Sequence, residues 1–302
     1  MNAPAFAIEP VRRNFKFPLK KSKITHWNGA GRNFTNFLNA LSVFFPEGER
    51  FFIDSVRNYR DQITAPQLKR DVSAFIGQEA FHSREHVEYN NALAEAGFPV
   101  EAYEKVVAIL LDNIKERTPK AFQLSITVAL EHITAILANG VLETPEAMEG
   151  SDEGYVALWH WHALEETEHK AVAFDVFNQV VGGGLGSYLL RTGAFTFANA
   201  VFWPAVAAVY LDILRRDKQL SNLKGWRATY DNMWGKNGIL KLIIPDWLDY
   251  YKPGFHPWDH DNRHLLKRVE EIIAVVGAPK TKATKKTTKK VSKKSQPQED
   301  NV

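Results

Sequence analysis

Two stretches with helical apolar periodicity each carry a glutamate three residues ahead of a histidine: Glu79-Ala-Phe-His82 and Glu166-Thr-Glu-His169. Residues three apart leave an α-helix on the same side, so each pair offers a carboxylate and an imidazole in one direction. Two such helices facing each other, with one glutamate from each of two more, make the ligand set of a carboxylate-bridged pair of iron or manganese ions. Glu49 precedes the first pair and Glu131 lies between the two, where the extra glutamates are needed. In this reading Glu79 and Glu166 bridge, Glu49 and Glu131 bind terminally, and His82 and His169 give each cation a nitrogen.

Other histidines extend the pattern. His162 shares a helix face with Glu166 and His169, and His86 shares one with Glu79 and His82. His162 is expected as a seventh ligand and His86 as a hydrogen-bond partner behind the ligands. His132 follows Glu131 directly, points about 100° away from it, and ranks below both. Glu85, Glu88, Glu165 and Glu168 read as solvated helix-surface residues. The apolar neighbours Val72, Phe75 and Ile76, and Ala171, Val172 and Phe174, turn both motifs toward a core. Charge there is costly unless paired or metal-bound, and a buried salt-bridge network is the competing account.

The elements that would position these side chains can be read from capping and breaking residues. An apolar helix over 34–44 is expected to end at Phe45-Pro46, with a new helix running from there to about Gln62 and carrying Glu49. Thr64-Ala65-Pro66 opens the helix of Glu79 and His82, and Gly97-Phe98-Pro99 closes it. A helix over 100–115 follows. Thr118-Pro119 reads as an N-cap and first-turn pair for the helix of Glu131, which ends at Asn139-Gly140. Ser151-Asp152 caps a long helix reaching about Val181 with Glu166 and His169 midway, stopped by Gly182-Gly183-Gly184. The fold class is all-α: a four-helix bundle with extra C-terminal helices. The segments are an irregular N-terminal stretch (1–33), a metal-binding bundle (34–184), an apolar, aromatic-rich helical extension (185–277) and a lysine-rich tail (278–302).

Composition narrows the chemistry. The 302 residues are 45% hydrophobic and include no cysteine, which excludes disulfides, thiolate nucleophiles and cysteine-held zinc or iron–sulfur sites. Any metal sits on His, Asp and Glu, a donor set suited to iron, manganese or zinc. Eight of the 38 basic and two of the 35 acidic residues fall between Lys280 and Asp300, and without them the net charge of +3 becomes −3. The body is not an evident nucleic-acid binder, and the tail reads as a disordered solubilising segment. No secretory signal is legible at the N-terminus, so a cytoplasmic location is expected.

Residues 192–211 carry no formal charge and are long enough to span a bilayer core. Asn199 and Pro204 weigh against a span, so a helix buried against the bundle or lying at the inner face of a membrane is favoured, with a transmembrane helix as the third reading. His256, His260 and His264 are spaced for a metal only if helical; Pro257 and the aromatics favour packing.

Five blocks in order resemble a bacterial family described as predicted metal-dependent hydrolases. They are Ser42 through Phe52, Phe75 through His82, Ala129 through His132, Trp161 through Lys170 and Lys252 through Trp258, and the resemblance runs from about Arg12 to His264. The ligand pattern is similar to that of ferritin-like di-iron oxygenases, and His162-x-x-x-Glu166-x-x-His169 resembles the branch of arylamine N-oxygenases that uses an additional histidine.

Together these readings set the functional expectation. The preferred function is a non-haem enzyme with two iron ions that uses O2 and an unidentified electron donor to oxidise an apolar, lipid-like organic substrate. Phe51, Phe52, Phe75, Phe81 and Phe174 are candidates to line its pocket. The alternatives are a dimetal hydrolase of an ester or phosphate using zinc or manganese, and a non-catalytic iron-handling bundle. Peripheral membrane association and a homodimer stay open as partners.

Overall fold

A computed structural model describes residues 8–277; the lysine-rich tail lies outside the described residues. Among them the chain is all-α, without strands. The helices are α1 (Arg32–Arg57), α2 (Pro66–Glu95), α3 (Val100–Arg117), α4 (Lys120–Glu143), α5 (Glu153–His169), α6 (Val172–Val180), α7 (Leu185–Arg216), α8 (Leu223–Trp234), α9 (Ile239–Asp249) and α10 (Val269–Val276). α1 packs on α2, α4 on α5, α1 on α4 and α2 on α5, so four helices close a ring. α7 lies across α4 and α1, α9 on α4, α8 on α1, and α10 on α5. One hydrophobic cluster runs from Ile24 to Phe255 through both the ring and the later helices.

The expected break at Pro46 does not occur, because α1 passes straight through it. Proline cannot donate to the carbonyl four residues back, which here belongs to Ser42. The side chain of Asn90 on α2 supplies the missing donor, its Nδ2 lying 3.2 Å from the Ser42 oxygen. Asn90 Oδ1 also accepts from the Ser42 hydroxyl at 2.8 Å. A side chain from a neighbouring helix therefore repairs a defect that local sequence marks as a terminus.

Other boundaries also moved. Thr118 does not cap α4; its hydroxyl donates back to Ile114 at the end of α3, at 2.7 Å, and α4 starts at Lys120. α4 runs past Gly140 to Glu143 because the glycine is a helix crossing: a Cβ there would come within 2.8 Å of Ile239 on α9. The helix capped by Asp152 is interrupted at Lys170-Ala171, where Lys170 Nζ turns away to donate to His260 O and Asn262 Oδ1 at 2.7 and 2.9 Å. Near the C-terminal end of the described residues the chain forms a 3-10 turn, Arg263–Arg268, and becomes α-helical only at Val269. Gly97 ends the α2 connection with φ of +95°, which favours glycine.

α4 and α7 are both long and apolar enough to cross a membrane, but 72% of the apolar window of α4 is buried against 28% for α7. α7 packs one face, with Phe195, Ala198, Val206 and Ile213 inside, and exposes Leu185, Leu189, Phe197 and Leu211. Asn199 accepts from the indole N–H groups of Trp203 and Trp247, at 3.1 and 2.9 Å.

Asn90→Ala is expected to destabilise the protein by about 1–3 kcal/mol in urea unfolding, since the Ser42 carbonyl loses its buried donor. In a Pro46→Ala background the loss should be smaller, because the helix then supplies its own N–H. Equal losses in both backgrounds would refute the repair.

Candidate metal centre

α1 contributes Glu49, α2 Glu79 and His82, α4 Glu131, and α5 His162, Glu166 and His169. The ring of helices turns all seven inward, and none is more than 4% exposed. Ligand atoms of Glu49, His82 and His162 lie within 4.8 Å of one another, as do those of Glu79, Glu166 and His169. Donors about 2.1 Å from a shared cation sit roughly 3–4 Å apart, close to this spread.

Glu166 stands between the two groups. Its Oε1 is 3.0 Å from His162 Nε2 and 3.7 Å from His82 Nδ1, while its Oε2 is 3.5 Å from His169 Nε2. Glu79 Oε1 likewise lies 3.1 Å from His169 Nε2 and 3.8 Å from His82 Nδ1. Glu49 reaches only the His162 side, at 3.9 Å, and Glu131 only the His169 side, at 3.5 Å.

The buried inner atoms lack hydrogen-bond partners. Both oxygens of Glu49, Glu79 and Glu131, Nδ1 of His82 and Nε2 of His169 have none of acceptable geometry. Orphaned polar atoms are rare in folded proteins, and so many aimed at one point need a missing partner. The donor set, four carboxylates and three imidazoles without sulfur, fits hard or borderline divalent cations.

The outward nitrogens all have neighbours, those of His162 and His169 through hydrogen bonds and that of His82 through an ion-pair contact alone. His82 Nε2 is 3.2 Å from Glu165 Oε2, His162 Nδ1 is 2.7 Å from His86 Nε2, and His169 Nδ1 is 2.9 Å from Gln78 Oε1. His86 Nδ1 in turn meets the Ser42 hydroxyl at 2.9 Å. His86 thus stands behind His162. His132 is elsewhere: its Nε2 faces Asp246 O at 3.1 Å, and its ring packs against Phe195, Tyr250 and Phe255.

Glu165, Glu168 and Glu85 are buried rather than solvated; only Glu88 of that group is exposed. The reason is the N-terminal strap. Arg13 pairs with Glu168 at 2.7 Å and with Glu165 at 3.4 Å, Val11 N–H donates to Glu168, and Lys16 reaches Glu85 at 2.8 Å. Gln78 Nε2 also donates to Glu168, at 2.9 Å, which ties the strap to His169.

Thr134, which the motif analysis missed, donates to Glu166 Oε2 at 2.6 Å. It sits three residues after Glu131 on the inward face of α4, a spacing that marked it in the sequence. Gln78, four residues before His82, carried a similar signal. Arg13 carried none, because its role arises from a contact across 152 positions.

Two apolar cavities touch the cluster. One, between α1, α3, α4 and α7, reaches Glu49 and Thr134. The other reaches His162, Glu166 and Thr134 from the side of Trp159, Met233 and Ile239. Of the five phenylalanines expected to line a pocket, Phe52 does so. Phe75 packs edge-on against the His169 ring, Phe81 under Arg84, and Phe174 against Phe255 and His256. Phe51 lines a separate polar recess with Arg57 and Lys115. The C-terminal histidines pair with acids: His256 with Asp175, His260 with Asp246 and Asp249, His264 with Glu143.

Burial, reinforced by the neighbouring carboxylates, pushes the Glu49, Glu79 and Glu131 carboxyls well above their usual range. Burial also raises Glu165, with Arg13 working against it. At Glu166 burial acts upward, but His169 and His162 outweigh it and hold the carboxyl well below the usual range. Burial and then His162 push His82 and His86 well down. A carboxyl raised on folding contributes stability below its unfolded pKa and loses it as pH rises through the folded one. Metal-free protein should therefore lose the contribution of these three glutamates progressively as pH rises above the ordinary carboxylate range. His82 and His86 act oppositely, costing stability as pH falls below the ordinary imidazole range. At pH 8, Glu79→Gln is expected to stabilise metal-free protein by ~1–4 kcal/mol, since it removes a carboxyl that must either stay charged in the core or take up a proton on folding. Thermal melts with and without Mn(II) or Zn(II) read this, and the variant should lose the wild-type gain on adding metal. A metal-free variant no more stable than wild type would contradict it.

No curated protein and no solved structure matches the chain. The model of one family, described as "Predicted metal-dependent hydrolase", matches residues 11–261, from the strap that closes over the cluster through the segment carrying His256 and His260. The chain belongs to that family of predicted metal-dependent hydrolases.

Proposed function

We propose that Glu49, Glu79, His82, Glu131, His162, Glu166 and His169 hold two divalent cations, and that the centre hydrolyses an uncharged ester with hydrocarbon substituents. The observation that carries the reading is the convergence of unpartnered carboxylate and imidazole atoms at the middle of the helical ring. Two cations would satisfy them with Glu166 and Glu79 between, Glu49, His82 and His162 on one side, and Glu131 and His169 on the other. A bound pair of divalent cations supplies Lewis acidity and lowers the pKa of water. Membership in the family supports hydrolysis as the reaction class.

The rest of the reading concerns this chain's own groups. His86 and Gln78 fix the outward nitrogens of His162 and His169 and so the orientation of those imidazoles, and Glu165 sets a carboxylate beside that of His82. Neither cavity that touches the cluster is lined by lysine or arginine. A phosphate would find no side-chain counter-charge there, whereas a neutral ester meets apolar walls. Thr134, at both cavities, is placed to orient Glu166 beside such a substrate.

One observation favours a second reading, oxygen chemistry at a pair of irons. The donors are glutamate-heavy and lie in dry, apolar surroundings, conditions that suit iron and the oxidation of a hydrocarbon. Metal-free protein loaded anaerobically with Fe(II), Mn(II) or Zn(II) separates the two. The hydrolase reading expects two ions per chain, with Zn(II) or Mn(II) supporting cleavage of p-nitrophenyl esters and no O2 uptake. O2 consumption by the iron form without ester cleavage by any form would transfer the assignment to an oxygenase. Iron uptake far beyond two per chain would indicate storage.

Gln78→Leu, which removes the acceptor behind His169, is expected to lower metal affinity about 10- to 100-fold in chelator competition. Unchanged affinity would mean that Gln78 does not orient that ligand.

A further inference from the structure

We infer that the cavity between α3 and α7 is the binding channel for one hydrocarbon chain of the substrate, and that Gly48 sets how deep the chain reaches. The inference rests on the reading that the acidic cluster is the reacting centre. The channel is built from faces of four helices. α1 gives Phe44, Gly48 and Phe52, one and two turns apart, and α3 gives Val107 and Leu111. α7 supplies Phe197, Val201 and Phe202, and α4 closes the floor with Ile126, Leu130 and Ile133.

Two of its lining residues mark its ends. Phe197 is 41% exposed and Glu49 is 1% exposed, so the channel runs from the protein surface to the cluster. Glu49 and Thr134 are its polar lining side chains, and both belong to the inner end. Both Glu49 oxygens are buried and unpartnered. An apolar tube with polar groups confined to the reacting end matches a ligand whose single polar function leads and whose hydrocarbon follows.

Gly48 lines the cavity next to Glu49. Glycine weakens a helix interior relative to alanine, so its presence in the middle of α1 needs a reason. Backbone conformation is not the reason, since α1 is regular there. Neither is crowding: a Cβ at Gly48 would meet only the tip of Phe52, at 3.9 Å, an ordinary contact. The space left open is the channel itself. A side chain there would fill it one residue away from Glu49.

Binding of fluorescent polyene fatty alcohols and of unlabelled alcohols from butanol to hexadecanol tests this without turnover, in metal-loaded full-length protein. Wild type should bind one long-chain alcohol per chain, saturably. Gly48→Leu, and independently Val201→Trp in the opposite wall, should weaken long-chain binding at least tenfold. Gly48→Leu should spare the short alcohols, and both variants should keep wild-type metal content. Two variants guard against one that fails to fold, which melting curves reveal. Absence of saturable binding, or equal long-chain affinity in a folded variant, overturns the channel. Esterase turnover is scored separately: long-chain binding without ester cleavage leaves the channel standing and counts only against the hydrolase reading.

Discussion

Four carboxylates and three imidazoles share the driest part of this molecule, and their electrostatics constrain everything around them. Burial pushes Glu49, Glu79 and Glu131 toward their neutral forms, and only Glu166, beside two histidines, is driven toward charge. Without a compensating cation these groups repel or stay protonated, and hydrophobic packing of the ring must absorb that cost. The surrounding hydrogen bonds are arranged with this in view. They hold the outward nitrogens of His162 and His169 and the Glu166 carboxylate, and leave the oxygens of Glu49, Glu79 and Glu131 without partners.

That division explains why elements remote in sequence are held so firmly. Arg13, Glu168, Gln78 and His169 form one chain of contacts from the N-terminal strap to the cluster. Ser42, Asn90 and His86 form a second, from the proline-bearing stretch of α1 to His162. In the first, Gln78 both donates to a buried acid and accepts behind His169; in the second, Asn90 satisfies the undonated carbonyl and holds the Ser42 hydroxyl that meets His86. Fold stability and site geometry therefore rest on shared residues.

The later helices add access rather than chemistry. α7 shields α1 and α4 with one face, and its spacing from α3 leaves the apolar path that reaches Glu49. Arg191 on the same helix is buried against Tyr250 and donates to the Tyr250 and Lys252 carbonyls, which anchors the segment leading to His256. The exposed residues Leu185, Leu189 and Phe197 lie on the face of α7 that the ring does not cover.

The sequence by itself determined which of the acidic and imidazole side chains share a helix face. Helical periodicity fixes direction, so Glu79 with His82, and His162 with Glu166 and His169, had to share faces whatever the fold, and His132 had to point away from Glu131. It also determined the all-α class and the stops at Gly97 and Gly182. Tertiary structure decided the rest, because those outcomes depend on partners far along the chain. Pro46 reads as a terminus until Asn90 supplies the donor it lacks. Gly140 reads as an end until Ile239 shows it to be a crossing. Glu165 and Glu168 read as solvated until Arg13 arrives from the strap. Local sequence sets backbone propensity and the facing of side chains; the burial and partner of a charge depend on what packs over it, which no local window contains.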